Sequence, residues 1–157
     1  MDELQRIVIE HECRKLMSLY CHHIDHQDAE GFAGLYAEDA YYKPAAAPAP
    51  ILGRPAILDW IKAYPGHRLG RHLTTNEIVE VVDAEHATGS CYAVVFRDPD
   101  PQPGVLSDRV TPRSVCEYRD EFRRTADGWR FSRREYRIDF LQAEETNRPT
   151  PWRPGAR

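Results

Sequence analysis

The sequence predicts an α+β fold in which a long N-terminal helix and two shorter helices pack on one face of a curved antiparallel sheet. Three observations carry this. Apolar residues recur at helical spacing through Ile9, Cys13, Leu16, Met17, Tyr20 and Ile24. From Leu69 onward the period changes to two, across four successive segments. Helices first and strands afterwards is the order of a layered α+β domain, and the concave side of such a sheet encloses a pocket. A chain of 157 residues suits one domain, with roughly 70% of the unfolded surface buried at that size. The domain is expected over residues 1–142, followed by a Pro-rich tail over 143–157.

The first helix starts near Asp2 or Glu3, whose acidic side chains suit a helix N-terminus, and runs to about His26. A short second helix follows, capped by Asp28, with Phe32, Leu35 and Tyr36 on one side. Ala40–Lys43 reads as a brief strand, and Pro44, Pro48 and Pro50 turn the next segment into a loop. Gly53-Arg54-Pro55 opens a third helix with Ile57, Leu58, Trp60 and Ile61 inward, which ends at Tyr64-Pro65-Gly66. The four strands are expected over 71–82, 87–97, 114–124 and 129–141. Residues 98–104, with Pro99, Pro101 and Pro103, form a long loop at one end of the sheet. The tail prolines exclude helix and central strand, and Trp152 offers an anchor to a neighbouring surface.

Composition narrows the function classes. A formal net charge of -4 gives no general attraction to nucleic acid or to an anionic membrane. Arg123-Arg124 and Arg133-Arg134 alternate with acids, which predicts a solvated sheet face. No apolar run approaches the ~20 residues of a spanning helix, and Asp2 and Glu3 follow Met1 where a leader would be basic. A cytoplasmic location is expected. The four cysteines, Cys13, Cys21, Cys91 and Cys116, are far apart with no CxxC pair, and read as buried reduced thiols. No GxGxxG or P-loop segment is present, so no cofactor is expected.

Chemistry concentrates in Tyr20-Cys21-His22-His23-Ile24-Asp25-His26-Gln27-Asp28, where the apolar stripe meets titratable groups. His22 and His26 lie at i, i+4 on one face, but no third ligand accompanies them at diagnostic spacing, and no metal site is assigned. Tyr20 and Asp25 are about 140° apart around a helix axis, so they reach one cavity only over its edge or through a distorted end.

The order of elements, with Tyr20…Ile24-Asp25, Leu35-Tyr36-Ala37-Glu38-Asp39-Ala40, Gly53-Arg54-Pro55-Ala56-Ile57 and Arg71-His72…Asn76, resembles the SnoaL-like branch of the nuclear transport factor two-like superfamily over about residues 5–142. The resemblance implies a cone-shaped α+β domain with a cavity in its mouth, and members that form dimers or trimers through the outer sheet face. Within the superfamily the chain looks most like the cofactor-free lyases: scytalone dehydratase, bile-acid dehydratase and lindane dehydrochlorinase. By motif, Asp25 and His72 match their Asp–His pair, Tyr20 the tyrosine five residues earlier, and Arg137 an arginine of the last strand. Ser114-Val115-Cys116-Glu117-Tyr118 offers no counterpart to the second catalytic histidine of the scytalone enzyme.

The residues are consistent with that chemistry. A neutral imidazole is a competent base near pH 7, and a carboxylate on its other nitrogen fixes the tautomer and balances the imidazolium. Strand alternation puts Thr74 and Asn76 on the same face as His72, either lining a cavity or facing solvent. Tyr42 and Trp60 are the further candidates for substrate contact. Arg137 shares parity with Trp129 and Phe131 and faces inward with them unless a bulge intervenes.

The expected function is a dehydratase-type lyase of secondary metabolism acting on a hydrophobic cyclic or polycyclic carbonyl compound. His72 removes a carbon-bound proton, Asp25 orients it, Tyr20 polarises the carbonyl and Arg137 assists the developing anion. A polyketide cyclase or isomerase with the same pocket, and a non-catalytic ligand-binding or assembly subunit, are the alternatives.

Overall fold

A computed structural model of the chain describes residues 1–64 and 68–142. Residues 143–157, including the expected anchor Trp152, lie outside the described residues.

Helix α1 (Glu3–Asp25) begins with a reciprocal cap: the Asp2 carboxylate accepts the Gln5 N–H at 2.8 Å, and the Gln5 side chain accepts the Asp2 N–H at 3.1 Å. Its buried stripe is Ile9, Cys13, Leu16, Met17, Tyr20 and Cys21, pressed mainly against the sheet. The helix comes close to the sheet at Gly89. A Cβ there would lie 2.8 Å from Met17 Cε and 2.9 Å from the Ile78 carbonyl, so only glycine lets the helix approach.

Gln27, in a left-handed conformation (φ 60°), turns the chain out of α1. Asp28 then caps α2 (Ala29–Gly34) by accepting the Gly31 N–H at 2.9 Å. Strand β1 (Tyr36–Lys43) starts one turn earlier than the residue pattern implies. Tyr36 opens the strand instead of closing the helix, because its carbonyl side is tied by Arg54 Nε at 2.9 Å and its ring packs on Phe131. A two-residue strand, β2 (Ile51–Leu52), follows the proline loop, and α3 (Arg54–Lys62) buries Ile57 and Ile61.

The remaining strands are β3 (Leu69–Val81), β4 (His86–Asp98), β5 (Ser114–Thr125) and β6 (Gly128–Leu141). They form one six-stranded sheet in the order β2-β1-β6-β5-β4-β3. Neighbours are antiparallel except β1 and β6, which run parallel, so the sheet is mixed. This parallel pair brings the segment after α2 back across the sheet, with its short helices, to close one side of the concave face. An aromatic core of Tyr20, Phe32, Tyr36, Tyr42, Phe122 and Phe131 fills the space beneath.

Two irregularities decide which side chains face that interior. In β6, Phe131 pairs with Phe122 and Arg133 with Glu121, so Ser132 is an extra residue that reverses the alternation. Trp129 and Phe131 point inward before it, and Arg134, Tyr136 and Ile138 after it. In β3, the register shifts between Thr75 and Ile78, where Asn76 adopts φ 56°.

The bulge in β6 overturns the expectation of a solvated Arg133-Arg134 face. Arg133 stays outside over Tyr41, whereas Arg134 is fully buried. Arg134 donates to Asp120 at 3.1 Å and stacks between Tyr20 and Tyr118, with ring centroids 4.1 and 4.3 Å from its guanidinium carbon. Burial pushes the Asp120 carboxyl up to about 7, with the Arg134 charge pulling it back. The cysteines are free and buried, and burial raises the Cys13 and Cys21 thiols to about 12 and Cys91 to about 11, which leaves them unreactive.

Candidate active site

Asp25 is the last residue of α1, where a carboxylate opposes the helix dipole at a cost of about 0.3–1 kcal/mol. Two hydrogen bonds from β3 hold it there. The backbone N–H of His72 donates to Asp25 Oδ2 at 2.8 Å, and His72 Nδ1 lies 2.6 Å from Oδ1. The carboxylate is acceptor only, so Nδ1 carries the proton and the Nε2 lone pair of the neutral ring is left for another partner. Both side chains are withdrawn from solvent, 7% exposed for Asp25 and 9% for His72.

His72 lies between two small voids. One, of about 30 Å³, is walled by the aromatics Tyr20, Trp60, Tyr64, Tyr118 and Tyr136, the aliphatics Ile24, Val95 and Ile138, and the polar groups Arg97, Arg113, Ser114 and Cys116. The other, of about 20 Å³, adjoins Asp25, Gln27, Arg68 and Gly70. Ile24, Tyr64, His72 and Arg97 border both, so the Tyr64 and Arg97 side chains stand at the junction. Tyr64 accepts a hydrogen bond from Arg97 Nη2 at 2.9 Å, and the Arg68 guanidinium stacks 3.3 Å from its ring centroid. Spaces of this size hold a water or two. A cyclic ligand needs more room than either void offers.

The expected site residues divide into two groups. Tyr20 and Trp60 line the larger void with His72. The Tyr20 hydroxyl is 2.9 Å from that of Tyr42, and burial raises both phenols well above their usual range, so they are neutral. Tyr42 faces inward but sits behind Tyr20 and Trp60, on whose ring it packs at 5.2 Å. The roughly opposed directions of Tyr20 and Asp25 on α1 are reconciled by His72 and Ile24, which span the space between them.

The others fall outside. Thr74 donates its hydroxyl to Glu77 at 2.8 Å and borders neither void, and Asn76 is exposed at the β3 bulge. Arg137 is on the outer face, ion-paired with Glu117 and Asp139, because Ser132 reverses the parity on which its inward direction depended. His22 and His26 stack at the end of α1, and His26 Nδ1 donates to the His22 carbonyl at 2.8 Å. His23 instead meets Asp28 at 2.8 Å. Among the described residues, no group of three His, Cys, Asp or Glu side chains is arranged to hold a metal.

Sequence reasoning missed Tyr64, Arg97, Arg113, Tyr118 and Tyr136. Arg97 carried a readable signal, since it is in phase with buried Cys91, Ala93 and Val95 on β4. Ser114, Cys116 and Tyr118 confront the void from β5, and among the described residues no second imidazole does.

A long helix laid across a curved, unclosed mixed sheet, with a lined void at its mouth, is the architecture of the nuclear transport factor two-like cone. The family model for the SnoaL-like domain matches residues 5–135, and the chain belongs to that family. It is 30% identical to a protein of unknown function from Mycobacterium tuberculosis, covering 93% of this chain and 81% of that one with a TM-score of 0.73. An NTF2-like protein with a cystatin-like fold from Novosphingobium aromaticivorans is 29% identical, over 90% of each chain, with a TM-score of 0.67. The hexachlorocyclohexane dehydrochlorinase LinA-type3 of Novosphingobium barchaimii shares the fold, at a TM-score of 0.72 and 19% identity over 90% of this chain and 93% of that one. No curated protein matches the chain. Among the described residues no helix is long and apolar enough to cross a membrane.

Proposed function

We propose that the protein is a cofactor-independent lyase of dehydratase type, acting on a cyclic carbonyl compound through Asp25 and His72. The observation that supports this most is the 2.6 Å contact between His72 Nδ1 and the Asp25 carboxylate at the wall of an aromatic cavity. That pairing fixes the tautomer of a base whose Nε2 is uncommitted. In the proposed reaction Nε2 takes a proton from the carbon beside the carbonyl, and Asp25 balances the imidazolium. The electron pair moves onto the carbonyl oxygen, where the Tyr20 hydroxyl donates to it with Tyr42 behind. The enolate then collapses, expelling a β-hydroxyl group that leaves as water with the proton from His72. Arg137 has no part in this, since it faces away.

The void without a second imidazole favours a second reading, isomerisation, in which His72 returns the same proton to another carbon of the enolate. Both begin with the same abstraction. A panel of cyclic β-hydroxyketones, followed by enone absorbance and by deuterium uptake from heavy water, tests it. The wild type is expected to exchange or eliminate, and His72→Ala to lose about 10²–10⁴-fold in rate. A wild type that does neither across the panel contradicts the proposal and points to a binding subunit. The exposed Leu73, Ile78, Tyr92 and Phe140 support a dimer or trimer, which light scattering on the purified chain checks. A monomer at all concentrations contradicts it.

A further inference from the structure

We infer that the cavity selects a substrate bearing a carboxylate, and that Arg97 is the group that holds it, with Tyr64 occupying the carboxylate's place until it arrives. This rests on the proposed reaction at His72, and names the substrate class for it.

The geometry is that of a half-used fork. Nε and Nη2 form one edge of a guanidinium, the edge that grips a carboxylate through two parallel hydrogen bonds. On Arg97, Nη2 donates to the Tyr64 hydroxyl at 2.9 Å, while Nε is buried with no hydrogen-bond partner. A buried donor left unmatched is costly, and a ligand that matches it recovers that cost. One oxygen where the fork takes two is the arrangement expected when a single hydroxyl substitutes for a carboxylate.

Among the described residues, no side chain hydrogen-bonds Arg97 Nε. The carboxylate bordering the same junction is Asp25, and both of its oxygens are engaged by His72. Arg97 therefore presents the open arm of its guanidinium at the junction of the two voids, within a wall that also includes His72 and Arg113. A positive charge is poorly matched to a wholly neutral ligand there, and well matched to an acid.

The same contact links recognition to entry. Tyr64 is held at the junction by its hydrogen bond to Arg97 and by stacking under Arg68. A carboxylate that claims both arms of the fork displaces the phenol, and the two voids become one space beside His72 Nε2. A neutral analogue gains less from Arg97 and must displace the same phenol.

The test uses the full chain with 1-naphthoate and its neutral isostere 1-naphthamide, read by tryptophan fluorescence and by the arginine Nε–H resonances of nitrogen-15-labelled protein. The acid is expected to bind at least about tenfold more tightly than the amide and to shift one Nε–H signal. Arg97→Gln should abolish both the preference and the signal, and Arg97→Lys should keep part of the preference, since it retains charge without the fork. Tyr64→Phe should tighten naphthoate, because no hydroxyl competes. Equal affinity for acid and amide, no binding of either at millimolar concentration, or a preference unchanged in Arg97→Gln and Arg97→Lys overturns the inference. His72→Asn separates it from the proposed reaction: a variant that keeps the acid preference after turnover is lost supports both. A wild type that prefers the acid but never depends on His72 for turnover leaves the Arg97 assignment standing and removes the lyase.

Discussion

Replacing Arg134 by Met examines how the floor of the cavity is held. Arg134 and Asp120 are both 0% exposed and share one contact of 3.1 Å, while Asp120 Oδ1 and Arg134 Nε and Nη2 have no hydrogen-bond partner. Taking one partner away strands a buried charge, which costs about 3–5 kcal/mol, whereas replacing both with apolar groups of similar volume is near neutral or stabilising. Asp120→Leu, which leaves the Arg134 charge without its partner, should lower stability by about 3–5 kcal/mol in urea unfolding, or roughly 6–20 °C in Tm, and Arg134→Met by less, since Asp120 can then stay protonated. Arg134→Met with Asp120→Leu should recover most of that loss.

The pH dependence carries a sign. The Asp120 carboxyl is held near pKa 7 in the fold against an ordinary value of 3.8. The folded state therefore binds the proton more tightly than the unfolded one, and this group's contribution is most favourable below pH 4 and lost as the pH rises through 7. Asp120→Asn should remove that slope, so wild type loses stability relative to the variant from pH 4 to pH 8. An Asp120→Leu variant that costs less than about 1 kcal/mol, or a double variant as unstable as the sum of the singles, refutes the reasoning.

Two further outcomes are expected. Gly89→Ala brings a methyl group within 3 Å of Met17 and of the Ile78 carbonyl, and backbone cannot yield as a side chain does; calorimetry should show a loss of about 1–3 kcal/mol. Arg137→Gln breaks exposed ion pairs on the outer face, so turnover and ligand affinity should match wild type; a drop of tenfold would return Arg137 to the cavity.

Element order and type were legible in the sequence because periodicity in α1 and in the four long strands is strong. The parallel pairing of β1 with β6 was not, since it joins segments nearly a hundred residues apart with no local signal. Facing failed where an extra residue reset the count. Alternation from Trp129 puts Arg137 inside and Arg134 outside, and the single bulge at Ser132 exchanges them. Asn76 left the cavity in the same way, at the β3 bulge. Asp25 and His72 are 47 residues apart in the chain, and no spacing rule joins them; the family likeness did. Arg97 lay open to the alternation argument, but an arginine in phase with buried apolar residues is easily discounted as an edge.

The central claim is that Asp25 acts by orienting and charge-balancing His72, so the measurement that bears on it most directly is the turnover number and Kd of Asp25→Asn on a compound the wild type converts. The amide keeps the shape but has one acceptor oxygen for the two His72 N–H groups that the carboxylate serves, so it holds the tautomer poorly and cannot balance an imidazolium. Turnover is expected to fall by about 10²–10⁴-fold with Kd within about twofold of wild type. Turnover equal to wild type, or a loss carried wholly by Kd, would contradict the account.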